Sequence, residues 1–88
     1  MDTTEQLSLY MFRGCPYCHR VIDAMNRLNL QIELRDTYQN PAFGKELKAH
    51  GGMSQVPCLR IEKPDGTVRW LYESVDIIKY LESVVRPS

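Results

Sequence analysis

Leu7-Ser8-Leu9-Tyr10-Met11-Phe12 is apolar at every position except Ser8. Neither face of such a segment can be left to water, so it predicts a central strand covered on both sides. After Arg13-Gly14, Cys15-Pro16 puts a proline where a first helical turn loses no needed donor. Val21, Ile22, Met25 and Leu28 then follow at helical spacing. Ile32 and Leu34 alternate with Gln31, Glu33 and Arg35, which predicts a short second strand with one polar face. Strand, helix, strand makes a βαβ unit.

Asn40 before Pro41 reads as a helix N-cap with proline at the first helical position. Phe43 and Leu47 supply one apolar stripe before Gly51-Gly52 ends the helix. Val56 to Ile61 and Thr67 to Tyr72 flank Lys63-Pro64-Asp65-Gly66, the pattern of a hairpin. Ser74 is placed to cap a last helix, with Asp76 in its positive first turn and a stripe of Ile77, Ile78, Leu81, Val84 and Val85. The order is βαβαββα, an α/β chain without internal repeat, low-complexity tract or linker.

Eighty-eight residues fit one compact domain, residues 1–88, with the polar stretch 1–6 expected to be a flexible segment ahead of the first strand. Hydrophobic residues at 43% and charged residues at 25% are globular values, with 5 Gly and 5 Pro, so disordered and fibrous classes fall away. Eleven basic against eleven acidic side chains leave no field for phosphates or an anionic membrane, so nucleic acid and membrane are not expected partners. Met1-Asp2-Thr3-Thr4-Glu5-Gln6 lacks the basic start of an export signal. The expectation is therefore a cytoplasmic monomer. Three cysteines, an odd number, argue against a structural disulfide framework in that reducing compartment.

Cys15 and Cys18 lie three apart at the start of the first predicted helix. Unpaired N–H groups and the helix dipole there stabilise a thiolate at Cys15, and the cation of Arg13 adds to the same field. Residues i and i+3 of a turn also lie close enough to bridge. The pattern therefore assigns Cys15 as nucleophile and Cys18 as resolving thiol. Zinc is disfavoured, because one thiol pair with His19 and His50 far apart supplies half a tetrahedral site. Cys15-Pro16-Tyr17-Cys18-His19 has the spacing of a haem-attachment motif, but covalent haem goes with export and these flanks read as a βαβ unit. His19 is expected to face solvent in the first helical turn. Cys58, after Pro57, is either a reserve nucleophile or a small core residue, and strand alternation favours the core. From the residues alone the Val56–Pro57 peptide is trans by default.

Cys15-Pro16-Tyr17-Cys18 after a strand, Val56-Pro57 opening a later strand and the βαβαββα order together resemble a glutaredoxin over residues 7–85. The resemblance implies a thioredoxin-like fold: a four-stranded mixed sheet, first and last helices on one face, the middle helix on the other, and a cis Pro57 beside the thiols. It also implies a glutathione site. The cysteinyl-glycine portion would pair its backbone with Val56 ahead of Pro57. The γ-glutamyl carboxylate suits the N–H groups at Ser74, and its ammonium suits Glu73 or Asp76. Arg13 would face the glycine carboxylate, and Tyr17 would pack along the ligand.

Two departures bear on this. Gln55 stands where glutaredoxins commonly carry Thr, and Tyr72-Glu73-Ser74-Val75-Asp76 replaces a Gly-Gly followed by acidic residues. Glu73-Ser74 instead resembles the N-terminal domain of glutathione transferases. The 88 residues hold no C-terminal helical domain, so a complete transferase is not the expectation. The reading is a glutathione-dependent thiol-disulfide oxidoreductase that reduces protein-glutathione mixed disulfides and protein disulfides, with glutathione as reducing co-substrate and no metal. The alternatives are a glutathione-assisted iron-sulfur cluster module and an electron carrier driven by thioredoxin reductase.

Overall fold

The computed structural model describes residues 5–85. β1 (Gln6–Met11), α1 (Pro16–Arg27), β2 (Glu33–Asp36), α2 (Pro41–Glu46), β3 (Cys58–Glu62), β4 (Val68–Leu71) and α3 (Ser74–Val85) follow in the expected order. The polar composition of residues 1–6 predicts a flexible segment. Residues 1–4 lie outside the described chain, and Gln6 already pairs with Glu62, so that expectation is corrected there.

The strands form one sheet in the order β2-β1-β3-β4, with β1 and β2 parallel and the other two pairings antiparallel. The all-apolar β1 is thus interior, as its pattern required. Its alternation divides the core. Leu9 and Met11 join Leu59 and Ile61 of β3 beneath Cys18, Val21 and Met25 of α1 and Ile77 and Leu81 of α3. Tyr10 and Cys58 face the other way and pack with Leu47, Phe43 and Trp70 on the α2 side. This is the thioredoxin-like fold, with two helices on one face and the middle one on the other.

Local chemistry accounts for the helix ends. Cys15 caps α1 with extended backbone (φ −90°, ψ 118°), and Pro16 follows it. At the other end Asn29 adopts φ 58°; its N–H donates to Asn26 O at 3.1 Å and that of Leu30 to Met25 O at 2.9 Å, a left-handed cap that closes the last carbonyls. Asn40 Oδ1 accepts the N–H of Ala42 at 3.2 Å at the start of α2. α2 then widens into a π-helical turn, Leu47–Gly51, and Gly52 (φ 94°) stops it.

Three details differ from the sequence-based expectations. The carbonyl of Glu73 accepts the N–H of Ile77 at 2.9 Å, so Glu73 holds the cap position of α3 and Ser74 is its first helical residue. Leu34 remains 46% exposed because β2 is a sheet edge, while Val84 and Val85 are exposed past the part of α3 that meets α1 and β3. Arg35, from the polar face of β2, turns inward: its Nη1 donates to Tyr10 Oη (2.7 Å) and to Glu46 (3.1 Å), and Tyr10 Oη donates to Glu46 (2.8 Å). That network ties β1, β2 and α2 together. Burial, followed by the Glu46 contact, pushes the Tyr10 phenol up to about 12.

Candidate functional site

β1 delivers the chain to a tight turn in which the N–H of Cys15 donates to Phe12 O at 3.0 Å. A Cβ on Gly14 would stand 2.9 Å from the Phe12 ring, so a larger residue in this turn would oblige the ring to shift. His19, exposed as expected, reaches back from the first turn of α1 and donates to the Arg13 carbonyl. Cys15 is therefore held from both sides at the helix N-terminus.

The two thiols differ in environment. Cys15 is partly exposed, whereas Cys18 is fully buried one turn further on. Burial is the main reason the Cys18 thiol is pushed up to about 12; the neighbouring Cys15 and the Asp36 carboxylate push in the same direction. The pair thus presents an accessible sulfur backed by a protonated one. That is the arrangement an attacking and a resolving thiol require.

Beside them, Tyr17, Gln55, Val56, Pro57, Tyr72, Glu73 and Ser74 line a cleft of about 210 Å³. The Val56–Pro57 peptide is cis, as the family resemblance implied. Five residues singled out in the sequence meet here from three separate stretches of chain: Tyr17, Val56, Pro57, Glu73 and Ser74. Arg13 and Asp76 are not among the lining residues. The Arg13 Nε stands 3.8 Å from Asp36 Oδ2 on a side chain 78% exposed, so the turn before Cys15 directs this cation to the end of β2. Asp76 is exposed, one turn-position beyond the cleft wall that Glu73 and Ser74 form. Neither side chain therefore forms part of the cleft wall that Tyr17, Val56, Pro57, Glu73 and Ser74 make.

Sequence reasoning missed Tyr72 as a lining residue and noted Gln55 only as a departure; their signal was adjacency to Glu73 and Val56. Burial holds the Tyr72 phenol above its ordinary value. Cys58 is buried on the α2 side, and burial pushes its thiol up to about 12, in keeping with a core residue. A larger cleft of about 290 Å³ lies on that same side, between Glu46, His50, Arg60, Val68 and Trp70, and contains no cysteine. Among the described residues no group of three His, Cys, Asp or Glu side chains is placed to hold a metal ion, and no helix is long and apolar enough to cross a membrane.

The family described as glutathione S-transferase, N-terminal domain, matches residues 14–84, which takes in both thiols and every wall of the cleft. The chain belongs to that family. No curated protein matches the sequence. Among solved structures, this glutathione S-transferase N-terminal domain is similar to maleylacetoacetate isomerase from Anaeromyxobacter dehalogenans with glutathione bound in its active site. The identity is 27% and the TM-score 0.72, over 99% of this chain and 44% of that one. A glutathione transferase Omega 2S from Trametes versicolor shares the fold at 24% identity and TM-score 0.73, over 93% of this chain and 37% of the other. Glutaredoxin from Brucella melitensis shares it at 20% identity and TM-score 0.57, covering 90% of this chain and 79% of that one. The chain thus spans less than half the length of the isomerase and transferase chains.

Proposed function

We propose that this domain binds glutathione in the cleft and uses Cys15 and Cys18 as a glutathione-dependent thiol-disulfide oxidoreductase. The observation that carries the reading is the pairing of an accessible Cys15 at a helix N-terminus with a buried, protonated Cys18, next to a cleft walled by Val56, Pro57, Glu73 and Ser74. Membership of a glutathione S-transferase domain family and likeness to an isomerase that holds glutathione support the choice of ligand. Glutathione would lay its cysteinyl backbone along Val56, set its γ-glutamyl carboxylate on the N–H groups at Ser74 and offer its ammonium to Glu73.

Chemistry would proceed by exchange. The Cys15 thiolate attacks the glutathione sulfur of a protein-glutathione mixed disulfide; a Cys15–glutathione bond forms, the old disulfide breaks, and the protein leaves as a thiolate that takes up a proton. A second glutathione thiolate then displaces Cys15, releasing glutathione disulfide. With a protein disulfide as substrate, Cys18 gives up its proton and attacks the Cys15 mixed disulfide, closing the Cys15–Cys18 bond that glutathione later reduces. A protein disulfide takes its two electrons from two glutathione molecules, whereas a protein-glutathione mixed disulfide consumes one, because its own glutathione leaves as half of the glutathione disulfide. The reducing cytoplasm suits this cycle.

The test is glutathione-coupled turnover of a glutathionylated peptide by the wild type, Cys15→Ser and Cys18→Ser. Cys15→Ser is expected to abolish turnover, while Cys18→Ser retains it, because a second glutathione can resolve Cys15. A Cys15 variant with wild-type turnover, or a wild type with no glutathione-dependent rate, refutes the proposal. Turnover driven by thioredoxin reductase alone, or a cluster absorbance band after anaerobic reconstitution, identifies the alternative chemistries.

A further inference from the structure

Tyr72 leaves β4 between two parts of the cleft. Its hydroxyl donates to the carbonyl of Met53 at 3.1 Å and accepts the N–H of the same residue at 3.3 Å. One phenol thereby satisfies both backbone groups of a residue in the loop 52–57, which precedes β3 and has no ladder partner of its own. Next in sequence after Tyr72 come Glu73 and Ser74, one stretch of the cleft lining; Gln55 and Val56, two and three residues after Met53, are another. The surroundings are shaped for this contact. A Cβ on Gly51 would collide with the Tyr72 hydroxyl and come within 3.0 Å of Trp70 Cε3, and Gly52 turns the chain at φ 94° into the loop.

We propose that Tyr72 is a positioning residue: its hydroxyl clamps Met53 and so sets the Gln55–Val56 wall at a fixed distance from Glu73–Ser74. The proposal rests on the reading of the cleft as the glutathione site. Both bonds to Met53 are exposed, so water takes the place of the phenol there when the clamp is removed, and the loss falls on the place of the loop. A ligand that must touch both stretches then binds a wider range of loop positions and is held less well. The Cys15 sulfur, set by the turn 12–15 and α1, keeps its place.

Tyr72→Phe removes the hydroxyl and keeps the ring. In steady-state turnover of a glutathionylated peptide, the variant is expected to raise KM for glutathione about fivefold or more while kcat stays within about twofold, the signature of lost binding and not of lost attack. Amide hydrogen exchange at residues 53–56 should accelerate about tenfold, with β1 and β3 unchanged. Gly51→Ala, which displaces the phenol by contact, should move both readouts in the same direction. The double variant should be less than additive, because the two changes break one contact. Unaltered exchange at 53–56 in Tyr72→Phe, or an unaltered KM with the wild type active, overturns the proposal. A wild type without glutathione-dependent turnover refutes the functional reading, and loop exchange in Tyr72→Phe then decides alone whether the clamp exists.

Discussion

Cys18 and Cys58 are both fully buried, yet they occupy opposite faces of the sheet: Cys18, on α1, packs with Val21, Ile77 and Leu81, and Cys58 with Tyr10 and Leu47. Cys58 is therefore a packing residue. Cys58→Ala should leave glutathione-dependent turnover intact and cost about 1 kcal/mol of stability, as a small core truncation does. Urea denaturation measures the cost, and native-state alkylation with peptide mapping should label Cys15 and spare Cys58; rapid labelling of Cys58 would contradict this placement. The charged residues divide just as sharply. Glu73 stands on the cleft wall while Arg13 is turned to Asp36, so Glu73→Ala should weaken apparent glutathione affinity by about 1 to 2 kcal/mol and Arg13→Ala by much less. Kinetics at limiting glutathione compare them, and an equal loss in the two variants would return Arg13 to the ligand site.

Among the helices, α1 and α3 are held by long apolar stripes, but α2 has six residues, none fully buried, and depends on its start. Its side-chain cap is the bond from Ala42 N–H to Asn40 Oδ1. Asn40→Ala should cost about 1 kcal/mol, read as a lower urea midpoint with an unchanged slope; an unchanged midpoint would show that Phe43 and Glu46 anchor the helix without the cap. Both ends of this helix were legible because Asn-Pro and Gly-Gly are local signals that act through backbone geometry. The π-helical turn between them was not. It lets Leu47 reach the core while Gly51 leaves room for Tyr72 and Trp70, contacts made with β4.

Two buried thiols and a buried phenol give the molecule as a whole a defined response to alkali. Cys18 and Cys58 hold their protons to about 12 in the folded state, against an ordinary value of 9.0, and Tyr10 to about 12 against 10.0. Below about pH 9 both states keep these protons and stability does not change on their account. As pH rises from about 9 toward 12, the unfolded chain ionises first and is favoured, by up to about 1.4 kcal/mol per pH unit for each group. Denaturant unfolding at pH 8 and pH 10 should show the decline, and Cys58→Ala should show a shallower one. A variant that declines as steeply as the wild type would place the alkaline sensitivity elsewhere.

Element order, the interior place of β1 and the thiol pair could all be read from the chain, because each rests on a local pattern over a few residues: unbroken apolarity or period two for a strand, three to four for a helix, three for the cysteines; the meaning of Glu73-Ser74 came from family resemblance. The facing helices followed from resemblance to a known architecture. Other features came only with the folded chain. Which charged side chains form the cleft wall is one of them: Arg13 is not in that wall, and its Nε stands 3.8 Å from Asp36, 23 residues away in sequence but beside the same turn. Arg35 turns in from β2 because Tyr10 and Glu46 arrive from two other elements to accept from its Nη1. Tyr72 looks like an ordinary strand residue until the loop at Met53 folds back onto its hydroxyl. Such contacts join residues far apart in the chain, and local propensity carries no information about which polar groups will meet when the sheet closes.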